Sequence, residues 1–475
     1  MTTYRKKLLL VSSLIAVAVI GIAFQQQHET HVDKAPAAVT ELASRSTELG
    51  TALVKPLKSD SEMDIKLTDP AMTKKWGLEL TDSYKAWSGD VKATGSRDIV
   101  VAVIDTGIDI HHVDLQKNLW VNKGEVGMDA EGRDKATNGV DDDNNGFIDD
   151  VHGVNFVGQT TDLSDNHGHG THIAGIIGAE GGNGVGISGV APRVSLMILK
   201  YYDPHAYGGN NLNNTVRAID YATRMGAHII NYSGGGLQPS ESEKQAIARA
   251  QKKGVLFVAA AGNEKSNSDV NGYYPADYEL DNIISVTAID RGKNVLPSSN
   301  YGEQTVDIAA PGNDIFSTLP SGQYGQMTGT SQATAFVSGV AALIKAKYPD
   351  FEAKKVIRHI LENGTEDEKL VGKTRYRKRL NTYRALANLD QDVTVNGTVA
   401  KNTQNLSPTA FAATADPVLE PNEDLTGSGL LAITTGREIN AFLRATQKVI
   451  VAEEANKRAQ KTRELQSESE APPQE

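Results

Sequence analysis

The chain contains no cysteine. That excludes a disulfide-stapled scaffold, a cysteine zinc site, an iron–sulfur cluster, a thiol nucleophile and a lipid-modified N-terminal cysteine. Nor is there an excess of positive charge: 48 Lys and Arg stand against 59 Asp and Glu, a net charge of −11. Non-specific nucleic-acid binding needs a basic surface, so no nucleic-acid partner is expected. Beyond the first 25 residues, no apolar run approaches the roughly 20 residues that cross a bilayer. What remains is a chain of 475 residues, 39% apolar and 23% charged. That is the composition of a globular protein, with room for roughly three domains at about 150 residues each.

The N-terminus reads as a targeting segment. Arg5, Lys6 and Lys7 precede an apolar run from Leu8 to Phe24, a charged stretch followed by a short hydrophobic one. Small residues at Gly21 and Ala23 allow cleavage after Ala23. Residues 1–24 are therefore expected to be a signal peptide, or an anchor if uncleaved, and to be the chain's only membrane contact. The product is expected outside the cytoplasm: secreted, periplasmic or in the cell envelope. Residues 25–68 are polar and aperiodic and read as a short leader or pro-segment. Residues 388–436 are rich in Asn, Thr, Asp, Pro and Gly and read as a linker. Residues 437–475 read as a tail, with a polar helix over 437–466 that bears a weak apolar face.

Between these lies the expected folded domain, residues 69–387. Short unbroken apolar runs at Ile99–Ile104, Val194–Leu199, His228–Tyr232, Val255–Ala260 and Ile283–Ile289 read as strands covered on both faces. Helical stretches alternate with them. Over Ser240–Gly254, Ser240 and Glu243 form a capping box, Ala246, Ile247 and Ala250 share a face, and Gly254 ends the segment. Such alternation predicts an α/β fold of three layers: a mostly parallel central sheet with helices on both faces. Ligand sites in such sheets lie at the carboxyl ends of the strands.

Three stretches carry chemistry. In VAVIDTGID, Asp105 ends a buried strand and is followed by Thr106–Gly107, which permits a sharp turn. In DNHGHGTHIAGIIG, His169 sits between Gly168 and Gly170 ahead of an apolar helix. In MTGTSQATAFVSGVAALI, Gly329 and Thr330 lead Ser331 into a long apolar helix, where backbone N–H groups and the positive end of the dipole lie close by. Each alone has a bland reading: a strand-end carboxylate, a turn histidine, an N-cap serine. His167, His169 and His172 also invite a zinc reading, but the HExxH pattern with its Glu is missing. Together, in the order Asp, His, Ser, they match one of the chain orders of the Ser–His–Asp triad.

On these three motifs, residues 69–387 resemble a subtilisin-like serine protease of the subtilase family. The resemblance implies that His169 takes the Ser331 proton and then protonates the leaving amine, with Asp105 holding the imidazole. It implies that Asn263, in FVAAAGNE, and the Ser331 backbone N–H stabilise the oxyanion. It further implies that Ser233, Gly234 and Gly235, in IINYSGGG, pair with an extended peptide substrate, and that Ala261 and Gly262 form the other wall of the primary pocket. Gly234 stands where the family often has Leu. Tyr273 stands where many relatives have a smaller residue, which favours small P1 side chains, whereas Glu264 near the rim favours basic ones. Two further departures are Ala335, where the family usually has Pro, and Gln332, which replaces the common Met. Ala is the better interior helix former, so the helix is expected to persist.

VDDDNNGFIDD places Asp141, Asp143 and Asn145 at alternate positions, followed by Gly146 and Asp149. Alternating oxygen ligands with a turn glycine suit Ca²⁺, although the twelfth position of an EF-hand-like loop is His152 rather than Glu. The family resemblance implies a second calcium site built on Asp114 and Asn183, with carbonyls near Val185 and Ile187 and with Asp69 as a further candidate. No organic cofactor is expected. Gly184-x-Gly186-x-x-Gly189 matches a dinucleotide fingerprint only formally, because VAPRV rather than a helix follows it. The function expected is an exported, calcium-stabilised, monomeric serine endopeptidase. A catalytically impaired peptide-binding relative and a calcium-binding surface adhesin are the alternatives.

Overall fold

The computed structural model describes residues 69–206 and 210–388. The expected signal peptide and leader, the tail, and nearly all of the linker lie outside the described residues. No helix among the described residues is long and apolar enough to cross a membrane.

Strand β1 spans Gly95–Asp105. Burying each of its aliphatic side chains contributes about 1.5–3 kcal/mol, which offsets the roughly 1–2 kcal/mol of backbone entropy lost per residue. Alternate side chains go to opposite faces, and both faces are covered. Ile99, Val101 and Val103 enter one core with the side chains of helices described below, while Val100, Ala102 and Ile104 enter the other. The remaining strands are β2 (Gly153–Asn155), β3 (Arg193–Lys200), β4 (Ile229–Tyr232), β5 (Leu256–Ala260), β6 (Ile283–Ile289), β7 (Ile308–Pro311), β8 (Ile315–Leu319), β9 (Gln323–Met327), β10 (Thr365–Glu366) and β11 (Lys378–Arg379). Nine of them form one sheet in the order β10-β11-β7-β6-β5-β4-β1-β3-β2. Every pairing in it is parallel except that of β10 with β11. β8 and β9 form a separate antiparallel hairpin.

Among the described residues, eight α-helices accompany the strands: α1 (Trp76–Leu80), α2 (Ser83–Trp87), α3 (His169–Gly178), α4 (Asn211–Arg224), α5 (Glu241–Lys252), α6 (Thr330–Lys347), α7 (Ala353–Asn363) and α8 (Thr382–Ala387). Ile173, Ile176 and Ile177 of α3 and the apolar residues of α6 and α7 line the first core. Ala218, Ile219 and Ala222 of α4 and Ala246, Ile247 and Ala250 of α5 line the second. This is the three-layer α/β arrangement expected. α3, between β2 and β3, packs on the face of the first core, and α5, which follows β4, packs on the face of the second. β1 and β4 are neighbours, so a crevice opens between their carboxyl ends, where open α/β sheets bind ligands.

Two local readings are refined. α6 runs unbroken through Ala335 and Gln332, both buried. The capping box of α5 is only half formed. Ser240 Oγ accepts from the Glu243 N–H at 3.4 Å, while the Ser240 N–H donates to the Tyr278 hydroxyl at 2.7 Å. Glu243 lies 3.0 Å from that same hydroxyl. Burial pushes the Glu243 carboxyl up to about 7, and the Tyr278 phenol is the partner that makes its burial tolerable.

Candidate active site

Asp105 is the last residue of β1 and is only 3% exposed. A buried carboxylate needs partners. One oxygen accepts from the Thr106 N–H and from His169 Nδ1, both at 2.8 Å. Sharing the carboxylate in this way fixes the ring: Nδ1 faces β1, and Nε2 faces the opposite way. His169 is the first residue of α3 and is itself buried. Burial pulls its pKa down, but the charge and hydrogen bond of Asp105, aided by Asp165, outweigh this and hold it above the usual 6.5.

Ser331 is the second residue of α6, so its N–H is among the orphan donors of the helix N-terminus. Its hydroxyl donates to the Ser233 carbonyl at 3.2 Å, just past the end of β4. Asn231 on β4 holds this contact together: its amide donates to Ser233 Oγ at 3.2 Å, and its carbonyl accepts from Ser338 of α6 at 2.8 Å. Sequence reasoning passed over Asn231 and Ser338, which read as ordinary strand and helix residues.

Asn263 follows β5. Its Oδ1 accepts from both the N–H and the hydroxyl of Thr330, at 3.0 and 3.2 Å. Two donors on the oxygen settle the orientation of the amide and turn Nδ2 away from Thr330. The two expected walls of the primary pocket also come together. A Cβ built at Gly235 would lie 2.5 Å from the Tyr273 ring, and one built at Gly262 would lie 2.8 Å from the same ring and 2.5 Å from Glu264 Oε2. Buried Tyr273 therefore fills the space between Gly235 and Gly262, and Gly262, at φ +100°, is the residue type that such a backbone favours. Glu264 Oε2 accepts from Asn300 Nδ2 at 3.0 Å. Gly234, which replaces a larger residue, is backed by the Tyr201 and Tyr232 hydroxyls: its Cβ would meet them at 2.4 and 2.9 Å. Ala261 is fully buried behind Gly262.

Among the described residues, one group of acidic side chains could hold a metal ion: Glu125, Asp143 and Asp150, with carboxylate oxygens within 4.8 Å of one another. Glu125 and Asp150 are fully buried, and burial pushes the pKa of each up. Glu125 Oε2 has no hydrogen-bond partner. The other expected loop ligands face the loop's own backbone. Asp141 accepts from the N–H groups of Asn145 and Gly146, and Asp149 accepts from that of Gly139. Asn145 bridges Asp143 and Asp150 through its amide. Asp150, though inside the acidic stretch, was not singled out, and Glu125 gave no sequence signal at all.

Asp114 and Asn183 also meet, at 2.9 Å. Around them, N–H and O–H donors converge. Asp114 accepts from Asn183 Nδ2, Ile187 N–H and the Tyr324 hydroxyl, and Asp69 accepts from Gly182 N–H, Gly184 N–H and the Ser188 hydroxyl. The histidines of the zinc reading diverge. His172 Nε2 lies 2.9 Å from the Ile315 carbonyl, and burial lowers its pKa to about 3, while His169 belongs to Asp105.

Comparison with known proteins fits this geometry. The model of the subtilase family matches residues 96–397, and the chain belongs to that family. It is 34% identical over 306 residues to subtilisin-like protease 1 of Plasmodium berghei, a match covering 61% of this chain and 49% of the relative. It is also 34% identical over 296 residues to subtilisin DY of Bacillus licheniformis, covering 62% of this chain and 93% of that one. A solved protease structure from Pseudoalteromonas arctica aligns with a TM-score of 0.51 at 26% identity, over 67% of this chain and 98% of its own. The chain spans about half the length of the Plasmodium relatives it matches.

The electrostatics give a first prediction. In an NMR titration, the imidazole of His169 should titrate above 6.5, and Asp105→Asn should bring it down by removing the nearest negative charge. A His169 value unchanged by Asp105→Asn would contradict the assigned pairing.

Proposed function

We propose that this chain is an exported serine endopeptidase acting on extended peptide segments. What carries the reading is the 2.8 Å His169–Asp105 contact at the end of β1, supported by the Ser331 hydroxyl on the Ser233 carbonyl just past the neighbouring β4 and by the Asn263 amide, just past β5, bonded to Thr330 beside Ser331. With Nδ1 committed to Asp105, His169 Nε2 is the nitrogen left to take the Ser331 proton once a substrate is bound. Oxygen Oγ of Ser331 then attacks the scissile carbonyl, and the C–N bond breaks as the imidazolium protonates the departing amine. Water, deprotonated by the same imidazole, hydrolyses the acyl-enzyme and regenerates Ser331. The negative charge on the tetrahedral oxygen falls to Asn263 Nδ2 and the Ser331 N–H. Ser233, Gly234 and Gly235 offer backbone to the substrate as an added strand. The export reading rests on the N-terminal sequence and on the similarity to subtilisin-like proteases.

Hydrolysis of a denatured protein substrate tests this. Ser331→Ala should abolish turnover, and Asn263→Ala should reduce it about 10²–10³-fold, the loss typical of such a donor in subtilisin. Full activity in Ser331→Ala would leave the reading without its nucleophile.

Tyr273 filling the primary pocket supports a preference for small P1 residues over the basic ones that a free Glu264 at the rim would favour. In a peptide library, Tyr273→Gly should extend cleavage to large apolar P1 residues, with a gain of about 10-fold or more for each buried methylene pair. An unchanged P1 profile would remove Tyr273 as the determinant.

Ca²⁺ fits the Glu125–Asp143–Asp150 group. The buried, unpartnered Glu125 oxygen, with buried Asp150 and half-buried Asp143 beside it, is the donor set of a hard cation. The ion would be structural, with Asp141, Asn145 and Asp149 ordering the loop around it. A second ion at Asp114, Asn183 and Asp69 remains part of the proposal, but both oxygens of Asp114 and of Asp69 already accept hydrogen bonds, whereas Glu125 Oε2 has no partner, so the Glu125 group is the one tested first. Calcium added to chelator-treated protein should raise the melting temperature, by up to about 2.7 kcal/mol of stability at a hundredfold excess over Kd. Glu125→Gln and Asp150→Asn should remove most of that gain, and Asp114→Asn should not. The reverse pattern would place the ion at Asp114.

A further inference from the structure

Asp165 is a buried carboxylate four residues ahead of His169, and the mechanism above does not use it. It accepts five hydrogen bonds. One oxygen takes the Thr106 hydroxyl at 2.8 Å, the His167 N–H at 3.1 Å and the Gly168 N–H at 2.8 Å. The other takes the Thr171 N–H at 2.8 Å and the Thr171 hydroxyl at 2.6 Å. Thr106 in turn accepts from the Gly170 N–H at 2.9 Å. α3 begins at His169, and its N-cap is Gly168, which has no side chain to cap it. The orphan N–H groups of Gly170 and Thr171 are therefore satisfied by Thr106 and Asp165 in place of a local cap. The same two side chains bond to each other, and Thr106 directly follows Asp105. Both partners of the Asp105–His169 pair are thus built into one hydrogen-bonded unit.

The outer side of the loop is pinned as well. Lys200 at the end of β3 donates to the Ser164 carbonyl at 2.6 Å and pairs with Asp203, which accepts from Asn166 at 2.7 Å. Charge matters as much as position. His169 stands at the positive end of a helix dipole, which disfavours an imidazolium. The groups facing it are Asp105 from β1, Asp165 from the loop, the His167 ring at 6.2 Å and His172 one turn along α3. Of these, Asp105 and Asp165 are the two that favour the protonated ring.

We propose that Asp165 is a positioning residue for His169: through Thr106 it locks the first turn of α3 to the end of β1, and its negative charge offsets the helix dipole at the imidazole. The proposal rests on the reading of His169 as the general base.

Asp165→Asn is nearly isosteric, but it replaces one acceptor oxygen with a donor, so the five donors cannot all be satisfied. The His169 titration is measured by NMR in wild type, Asp165→Asn, Thr106→Val and Thr106→Ser, with His169→Ala to assign the resonance. Peptide hydrolysis is measured across pH, and thermal melting is recorded alongside. Asp165→Asn should lower the His169 pKa, move the acid limb of kcat/KM to lower pH, and reduce kcat about 10- to 100-fold, the scale of a misplaced base, with a smaller change in KM. Thr106→Val should reproduce the loss of kcat, and Thr106→Ser, which keeps the hydroxyl, should restore it. Should Asp165→Asn fail to fold, the Thr106 pair decides the positioning part: equal activity in Val and Ser variants overturns it. A lowered melting temperature with an unmoved His169 titration and acid limb would make Asp165 merely structural and overturn the proposal. If the wild type cleaves nothing, the protease reading fails; the NMR shift still decides whether Asp165 acts on His169.

Discussion

A single short contact, 2.8 Å between His169 Nδ1 and Asp105 Oδ1, sets the terms for the rest of the molecule. It joins the end of the central strand to the start of a helix 64 residues later. A carboxylate buried to this degree is unfavourable unless it is paired, so the fold must bring the imidazole to it. The sheet does this by covering β1 on both faces and by turning the chain sharply at Thr106–Gly107, where Gly107 adopts φ +114°. The crevice between β1 and β4 then receives the N-terminus of α6 from the side of the first core. Ser331 is placed by α6, packed in the first core, and Ser233 and Asn263 by the ends of β4 and β5, so the geometry rests on the packed core rather than on a surface loop.

The same logic explains why so many small residues crowd the site. Gly234, Gly235 and Gly262 have neighbours that leave no room for a side chain: two tyrosine hydroxyls behind the first, and the Tyr273 ring against the other two. Tyrosines thus occupy volume that bulkier wall residues would otherwise fill. Under the proposed function, these glycines would present mostly backbone to a substrate, with Tyr273 in the space between the two walls.

Much of this was legible before any coordinates. The runs Ile99–Ile104, Val194–Leu199 and Ile283–Ile289 are interrupted only by Ser195, Ser285 and Thr287, of which Ser195 and Thr287 find side-chain partners, and a nearly unbroken apolar run has few alternatives to a strand buried on both faces. The Asp105, His169 and Ser331 motifs each carry glycines whose backbone needs mark them out. The short strands β2, β10 and β11 and the β8–β9 hairpin were not legible, because two to five mixed residues give no period to read. Glu125 was invisible for a different reason: a lone acid in a polar turn acquires meaning only when the fold buries it beside Asp143 and Asp150. Asp165 lay in plain sight within the histidine motif, but its five donors come from two stretches, Thr106 and His167–Thr171, that sequence alone does not join. The Ser240–Glu243 box was half right, since Tyr278, 38 residues away from Ser240, competes for the same backbone donor.

The proposed chemistry turns on His169 activating Ser331. The most direct measurement is the rate of covalent labelling by a fluorophosphonate, followed by intact mass and peptide mapping at several pH values in the wild type and in His169→Ala. One probe per chain is expected, on Ser331, at a rate that falls as pH drops through the raised pKa of His169 and collapses in His169→Ala. Labelling of Ser331 at the same rate without the imidazole, or an adduct on another residue, would contradict it.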